Sequence, residues 1–388
     1  MFHEKAILPQ GFTCASKNCG LKADGAEDLS VIYSDTVASA AAVFTKNQVP
    51  GAPVIVGREV IKGKKLQALV INSKISNVGT GQLGVENAQK MGRAVAEEFG
   101  CEAGHVLMSS TGVIAVQLPI EKIEQGIVGT KSIMSNDPMI AAKGIMTTDT
   151  HPKAYSLSVG SATVTLIAKG SGMIEPNMAT MLAYAMTDAE IDADKLDEML
   201  RIAVNKSFNM LSVDTDTSTS DTVVIMANGK AGKVDETEFQ NVLDELCIQM
   251  TETMARDGEG ATKLIRTEIS GAVNEQEAII YAKAMINSPL IKTMAFGADP
   301  NIGRILMALG KCFDNTFDLD SLKLSINDTL IYENAGKVDY DEPALRKTIS
   351  GDPVIFQIDL GLGDGEATAY GCDLTHGYID ENAAYYSS

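Results

Sequence analysis

Lys169-Gly170-Ser171-Gly172-Met173-Ile174-Glu175-Pro176-Asn177-Met178-Ala179-Thr180-Met181-Leu182 lies near the middle of a chain of 388 residues. It sets a small residue, Ala179, directly before a threonine, behind a segment rich in turn-forming residues. A threonine so placed can cut the bond before it and emerge as a new N-terminus. Its hydroxyl is then a nucleophile and its freed α-amine a base, a known way of activating threonine. Taken alone, an Ala-Thr pair between Met178 and Met181 also describes a half-buried threonine where a loop meets a helix or strand. The rest of the chain has to decide.

A chain of this length buries a large core and is expected to form two or three domains. Apolar content is 45% and charged content 21%, ordinary for a globular protein. Formal net charge is −19, from 32 basic and 51 acidic residues. That balance, with no basic stripe, argues against nucleic acid as a partner. It leaves room for local cations such as Lys169, Lys263 and Arg304 to hold an anionic substrate. The start, MFHEKAILPQGF, has no apolar export core, and no apolar run approaches the ~18 residues of a membrane span. No membrane partner and a cytoplasmic location are therefore expected. Of Cys14, Cys19, Cys101, Cys247, Cys312 and Cys372, only the first two are close, and no second pair completes a zinc pattern. Free buried thiols and no metal are the expectation.

Short apolar strands alternate with amphipathic helices. Strands are expected at 68–72, 158–168, 222–227, 261–273, 322–326, 354–360 and 367–372. Helices are expected at 84–99, 195–206, 239–256 and 276–286. Val85, Ala88, Met91, Val95 and Phe99 share one face of the first helix. Asn228-Gly229 reads as the turn that ends its strand, and residues 361–365 as a turn between strands. The mixture predicts a layered α/β (α+β) architecture with mixed sheets.

Three signals point to other chemistries and fall short. Gly79-Thr80-Gly81-Gln82-Leu83-Gly84 matches G-x-G-x-x-G, but Ser73 to Val78 separate it from the preceding strand, and no clean βαβ unit is apparent. A turn-forming loop is expected rather than a dinucleotide site. Asp214, Asp216 and Asp221 resemble calcium ligands, yet Thr219 and Ile225 stand where an EF-hand needs glycine and a carboxylate. His3, His105, His151 and His376 are scattered, with no H-E-x-x-H and no G-x-S-x-G.

The segment around Thr180 resembles that of the ornithine acetyltransferase family, the glutamate N-acetyltransferases of cyclic arginine biosynthesis. The likeness extends through SSTGVIAVQLP (109–119), IMTTDTHPK (145–153), SFNMLSVDTDTSTSDT (207–222), DGEGATK (257–263), SPLIKTMAFGADPNIGRI (288–305) and HGYIDENAAYYSS (376–388). It implies a precursor that cleaves itself between Ala179 and Thr180. The products would be an α subunit, 1–179, and a β subunit, 180–388, assembled as an α2β2 heterotetramer. The implied fold is shared with self-processing β-aminopeptidases, with two sheets packed between helices. Thr111 and Gly112 match the oxyanion hole. Thr147, Lys169, Thr180, Glu259, Asn382 and Ser387 match substrate-binding positions. The implied reaction is a ping-pong acetyl transfer from N2-acetylornithine to glutamate through an acetyl-Thr180 ester. It needs no cofactor, though acetyl-CoA stays open as an alternative donor.

Some loops depart from the family pattern. Residues 72–77 read NSKISN where NSGNAN is usual. Ala115 replaces a glycine and Ile302 a tryptophan. The tail carries Asp380 and Glu381 near Asn382. Self-cleavage and acyl transfer are thus better supported than the choice of donor. An amidohydrolase or aminopeptidase of the same mechanism, or an unprocessed non-catalytic relative, are the competing readings.

Overall fold

ALVIN, residues 68–72, is apolar at every step until the last, as a strand buried on both faces must be. The computed structural model describes residues 3–175 and 181–383, and there this run closes a strand. The strands are, in chain order, β1 (Phe12–Lys17), β2 (Leu29–Phe44), β3 (Lys65–Asn72), β4 (Val106–Ser110), β5 (Lys153–Val159), β6 (Ala162–Lys169), β7 (Leu182–Ala189), β8 (Leu211–Ser212) and β9 (Thr222–Gly232). They continue as β10 (Leu264–Ala272), β11 (Lys323–Ile326), β12 (Thr329–Glu333), β13 (Gly336–Lys337), β14 (Val354–Asp359) and β15 (Gly365–Cys372). The chain divides into two compact units. The first takes the described residues of Met1–Gly170, Pro176–Asn209 and Thr217–Met250, the second those of Ser171–Glu175, Met210–Asp216 and Thr251–Ser388. The cut expected between 179 and 180 lies outside the described residues; the strands after it, β7 and β9, share a sheet with β1 to β6.

In the first unit the sheet runs β4-β3-β2-β9-β7-β6-β5, with β1 beside the first half of β2. Leu69 and Ile71 of β3 join Ile32, Leu107, Tyr184, Met186 and Val224 in one buried cluster. Ala68 and Val70 face the other way, into a cluster with Ala88, Met91, Val95 and Phe99 of the helix Gly81–Phe99. The alternation of strand side chains thus supplies two cores from one apolar run. The second unit has its own mixed sheet, β13-β12-β11-β14-β10-β15-β8, with β10 parallel to β14 and antiparallel to β15. Mixed sheets and helices agree with the expected α/β class. No helix among the described residues is long and apolar enough to cross a membrane.

Several sequence expectations need correction. Residues 158–168 are not one strand; Gly160-Ser161 turns the chain between β5 and β6, whose register pairs Val159 with Ala162. Asn228-Gly229 does not end its strand but lies within β9, near a register shift against β7 between Thr187 and Ala189. The expected strand 261–273 shortens to β10. A βαβ unit does exist: β3, the helix Gly81–Phe99 and β4, with β3 and β4 parallel. Its closing strand β4 is only five residues long. Its loop is nonetheless closed by local contacts. A side chain at Gly84 would meet Thr80 Oγ1 at 1.9 Å and Asn77 Oδ1 at 2.7 Å.

Candidate active site

Three neighbouring strand ends of the first unit frame the site. Register pairs Lys169, the last residue of β6, with Leu182, the first of β7, and Leu182 with Thr222, the first of β9. The Thr222 N–H donates to the Met181 carbonyl at 2.9 Å. The chain that follows Thr180 is thus held on both sides from its second residue onward. Thr180 itself, Ala179 and Ser387 lie outside the described residues.

Lys169 approaches a buried carboxylate. Its Nζ is 3.9 Å from Asp149 Oδ2, and Lys153 Nζ donates to Asp149 Oδ1 at 2.8 Å. Oδ1 also accepts the Gly170 N–H at 2.7 Å, and Oδ2 the Thr147 N–H at 3.0 Å. Burial pushes the Asp149 acid upward, but Lys169, Lys153 and these donors outweigh it and hold it well below the usual carboxylate range. Two ammonium groups and one carboxylate leave the trio with one positive charge. Thr147 and Lys169, two of the expected substrate positions, are therefore joined through one residue.

Thr111 and Gly112 follow β4, zipped against residues 72–76. Thr111 N–H donates to Asn72 O at 3.0 Å, Val113 N–H to Lys74 O at 2.9 Å and Ser76 N–H to Val113 O at 3.0 Å. Ser110 Oγ donates to Asn72 Oδ1 at 2.5 Å. Gly112 has φ 125°. A Cβ there would stand 2.2 Å from both the carbonyl carbon and oxygen of Lys74. The NSKISN segment is thus the backing of the expected oxyanion turn. Lys74 has φ 83° and Ala115 φ 63°. Both residues where the family pattern has glycine keep a left-handed backbone, at a cost of about 1 kcal/mol or more each.

Asp221, singled out in sequence as a calcium-like carboxylate, is enclosed at the start of β9. Among the described residues its Oδ2 meets no hydrogen-bond partner. Burial raises its acid well above the usual range, and the hydroxyls of Ser218 and Thr45 and the charge of Lys169 oppose this incompletely. A folded-state acid raised above its unfolded value stabilises the fold fully below the unfolded value. That contribution is lost as pH rises through the folded one. Asp221→Asn removes the loss. The thermal midpoint of this variant, relative to wild type, should therefore climb between pH 4 and pH 8. A difference that is flat or falls with pH would show that Asp221 is ionised at no cost.

The second unit carries Glu259 and Asn382. Glu259 N–H donates to Ser171 O at 3.0 Å, and Asn382 Nδ2 donates to Glu259 Oε2 at 2.8 Å. The carboxylate lies over Gly172, where a Cβ would sit 2.2 Å from Glu259 Cδ. The helix His376–Asn382 is seated by its cap: Thr375 Oγ1 donates to Gly260 O at 2.5 Å and accepts the Gly377 N–H at 3.0 Å. These two expected substrate positions are thus directly bonded. The departing tail residues Asp380 and Glu381 are exposed. Asp214 is occupied by backbone: its carboxylate accepts the N–H groups of Met173 at 2.7 Å and Ile174 at 2.8 Å.

A model of the ArgJ family matches residues 13–387. The chain belongs to the ArgJ family. Arginine biosynthesis bifunctional protein ArgJ 2 of Clostridium acetobutylicum is 45% identical over 383 residues, 98% of either chain. Arginine biosynthesis bifunctional protein ArgJ of Rhodococcoides fascians is 42% identical over 98% of this chain and 95% of its own. Glutamate N-acetyltransferase Oat2 of Streptomyces clavuligerus is 41% identical over 97% of this chain and 98% of its own.

Two cations of this ArgJ-family chain that sequence offered for an anion serve structure. Lys263 Nζ donates to Ala295 O at 2.7 Å and Ile349 O at 2.9 Å, at the ends of the helices Pro289–Phe296 and Glu342–Ile349. Arg304 donates to Leu290 O at 2.9 Å. Asp149 and Lys153, which gather beside Lys169, were not among the candidates that sequence offered. The signal was present in TTDTHPK, where an aspartate and a lysine stand four residues apart.

Proposed function

We propose that this chain transfers the acetyl group of N2-acetylornithine to glutamate by a ping-pong route, after cutting itself between Ala179 and Thr180. The observation that carries the reading is the strand-end register. It sets Lys169, a largely enclosed cation, beside the strand that begins two residues after Thr180. In self-cleavage the Thr180 hydroxyl attacks the Ala179 carbonyl, the C–N bond breaks, and water hydrolyses the resulting ester. This frees the Thr180 α-amine. In turnover Thr180 Oγ attacks the acetyl carbonyl while its proton passes to the α-amine. The carbonyl oxygen gains negative charge, which Thr111 and the Gly112 N–H stabilise. Ornithine departs with the proton, leaving an acetyl ester. The glutamate amine then attacks that ester, and Oγ regains a proton. Lys169 suits a substrate carboxylate and Glu259 a substrate ammonium group. The reaction needs no diffusible cofactor; the cleaved pieces assemble as α2β2 in the cytoplasm.

The test is acetylglutamate formation from acetylornithine plus glutamate, beside acetylornithine alone and acetyl-CoA plus glutamate, with a denaturing gel of the enzyme. Two fragments and product in the first mixture support the reading. A single full-length band without product supports the non-catalytic alternative. Acetate release from acetylornithine at a rate indifferent to glutamate supports the amidohydrolase. Product from acetyl-CoA would add a second donor.

A further inference from the structure

The Asp149 carboxylate touches both chain segments that carry substrate positions in the first unit. Oδ2 holds the backbone of Thr147, and Oδ1 holds that of Gly170, the residue after Lys169 and 21 positions away. The side chains of Asp149 and Lys153 are wholly enclosed, while that of Lys169 is 10% exposed. The only cation of the trio with access to a ligand is thus the one the carboxylate touches least, at 3.9 Å against 2.8 Å for Lys153.

We infer that Asp149 is a positioning residue for substrate binding, acting through Lys169 and the Thr147 backbone on the carboxylate of an amino-acid substrate. Asp149 sets a carboxylate beside Lys169, and Lys153 shares that carboxylate at the shorter distance. Other charged groups of the same unit act on this set. The charge of Lys169 acts on Asp221, and that of Asp149 on Lys22, which donates to Met146 O at 2.9 Å. The hydrogen bonds to Thr147 and Gly170 fix where the cation stands relative to its neighbouring amides. The inference rests on the proposed reaction for the identity of the ligands.

A purely structural peg would use the same bonds, so the test separates stability from binding. Asp149→Asn removes the carboxylate that the two lysines share and should lower the thermal midpoint. Asp149→Asn with Lys153→Met removes one of those cations and should recover much of that loss. In both proteins KM for acetylornithine or glutamate should rise about tenfold or more with kcat changed less than about threefold, as for a lost charge-assisted contact. Calorimetric affinities for ornithine and glutamate should fall in parallel. If the double variant regains wild-type KM and affinity along with its stability, Asp149 is only a peg and the inference is wrong. If the single variant does not accumulate, the double variant decides by the same criteria. Wild type that binds these amino acids without transferring acetyl would remove the proposed reaction. The calorimetric comparison would still judge Asp149.

Discussion

Thr180→Ala remains one chain of 388 residues and transfers no acetyl group. The substitution deletes the only oxygen that can begin the N→O shift at the Ala179 carbonyl, and the same oxygen that would carry the acetyl group. Both functions should therefore vanish together, with turnover reduced by at least about 10⁴-fold, the scale on which loss of a nucleophile is felt. The strands around the position are set by β7 pairing with β6 and β9, which begins at Leu182, so the variant should keep its fold. A denaturing gel and circular dichroism check this. Efficient cutting of Thr180→Ala at the same bond would contradict the self-processing chemistry.

Gly112→Ala is expected to cost about 10²–10³ in kcat, the usual loss when one oxyanion donor is displaced. The cause is geometric. At φ 125° no side chain is comfortable, and the new Cβ would stand 2.2 Å from the Lys74 backbone. Backbone cannot swing aside as a side-chain tip can. The hydrogen bonds from Thr111 to Asn72 and from Val113 to Lys74 must loosen, and the Gly112 N–H moves with them. Processing should slow as well, since cleavage develops the same negative charge. Kinetics on the soluble, folded fraction check this; kcat within about threefold of wild type would place the oxyanion donor elsewhere.

The sequence spoke clearly where a period repeats. Ala88, Met91, Val95 and Phe99 are all buried on one helix face, and Leu196, Met199, Leu200 and Ala203 on another. It was silent about β2, whose SDTVASAAAV stretch is polar and alanine-rich and carries a register shift between Tyr33 and Ala38. It was silent also about β7, LAYAMTDA, wholly buried though most of it is alanine or polar. Strands in the middle of a sheet draw their stability from neighbours that a linear reading does not see. The site divides the same way. Thr111, Gly112, Lys169 and Glu259 were named as candidates through whole blocks of resemblance. Asp149 was not, because an aspartate among threonines reads as a turn residue. Its role appears only when the end of β6 comes back to it.

The account stands most directly on the acetyl ester. Enzyme mixed with N2-acetylornithine alone, quenched in acid and digested, is to be read by mass spectrometry at the peptide beginning Thr180-Met181-Leu182. An added acetyl group on that peptide, removed by glutamate with formation of acetylglutamate, is the predicted result. Turnover with no acetyl group on Thr180, together with intersecting rather than parallel two-substrate kinetics, would contradict it.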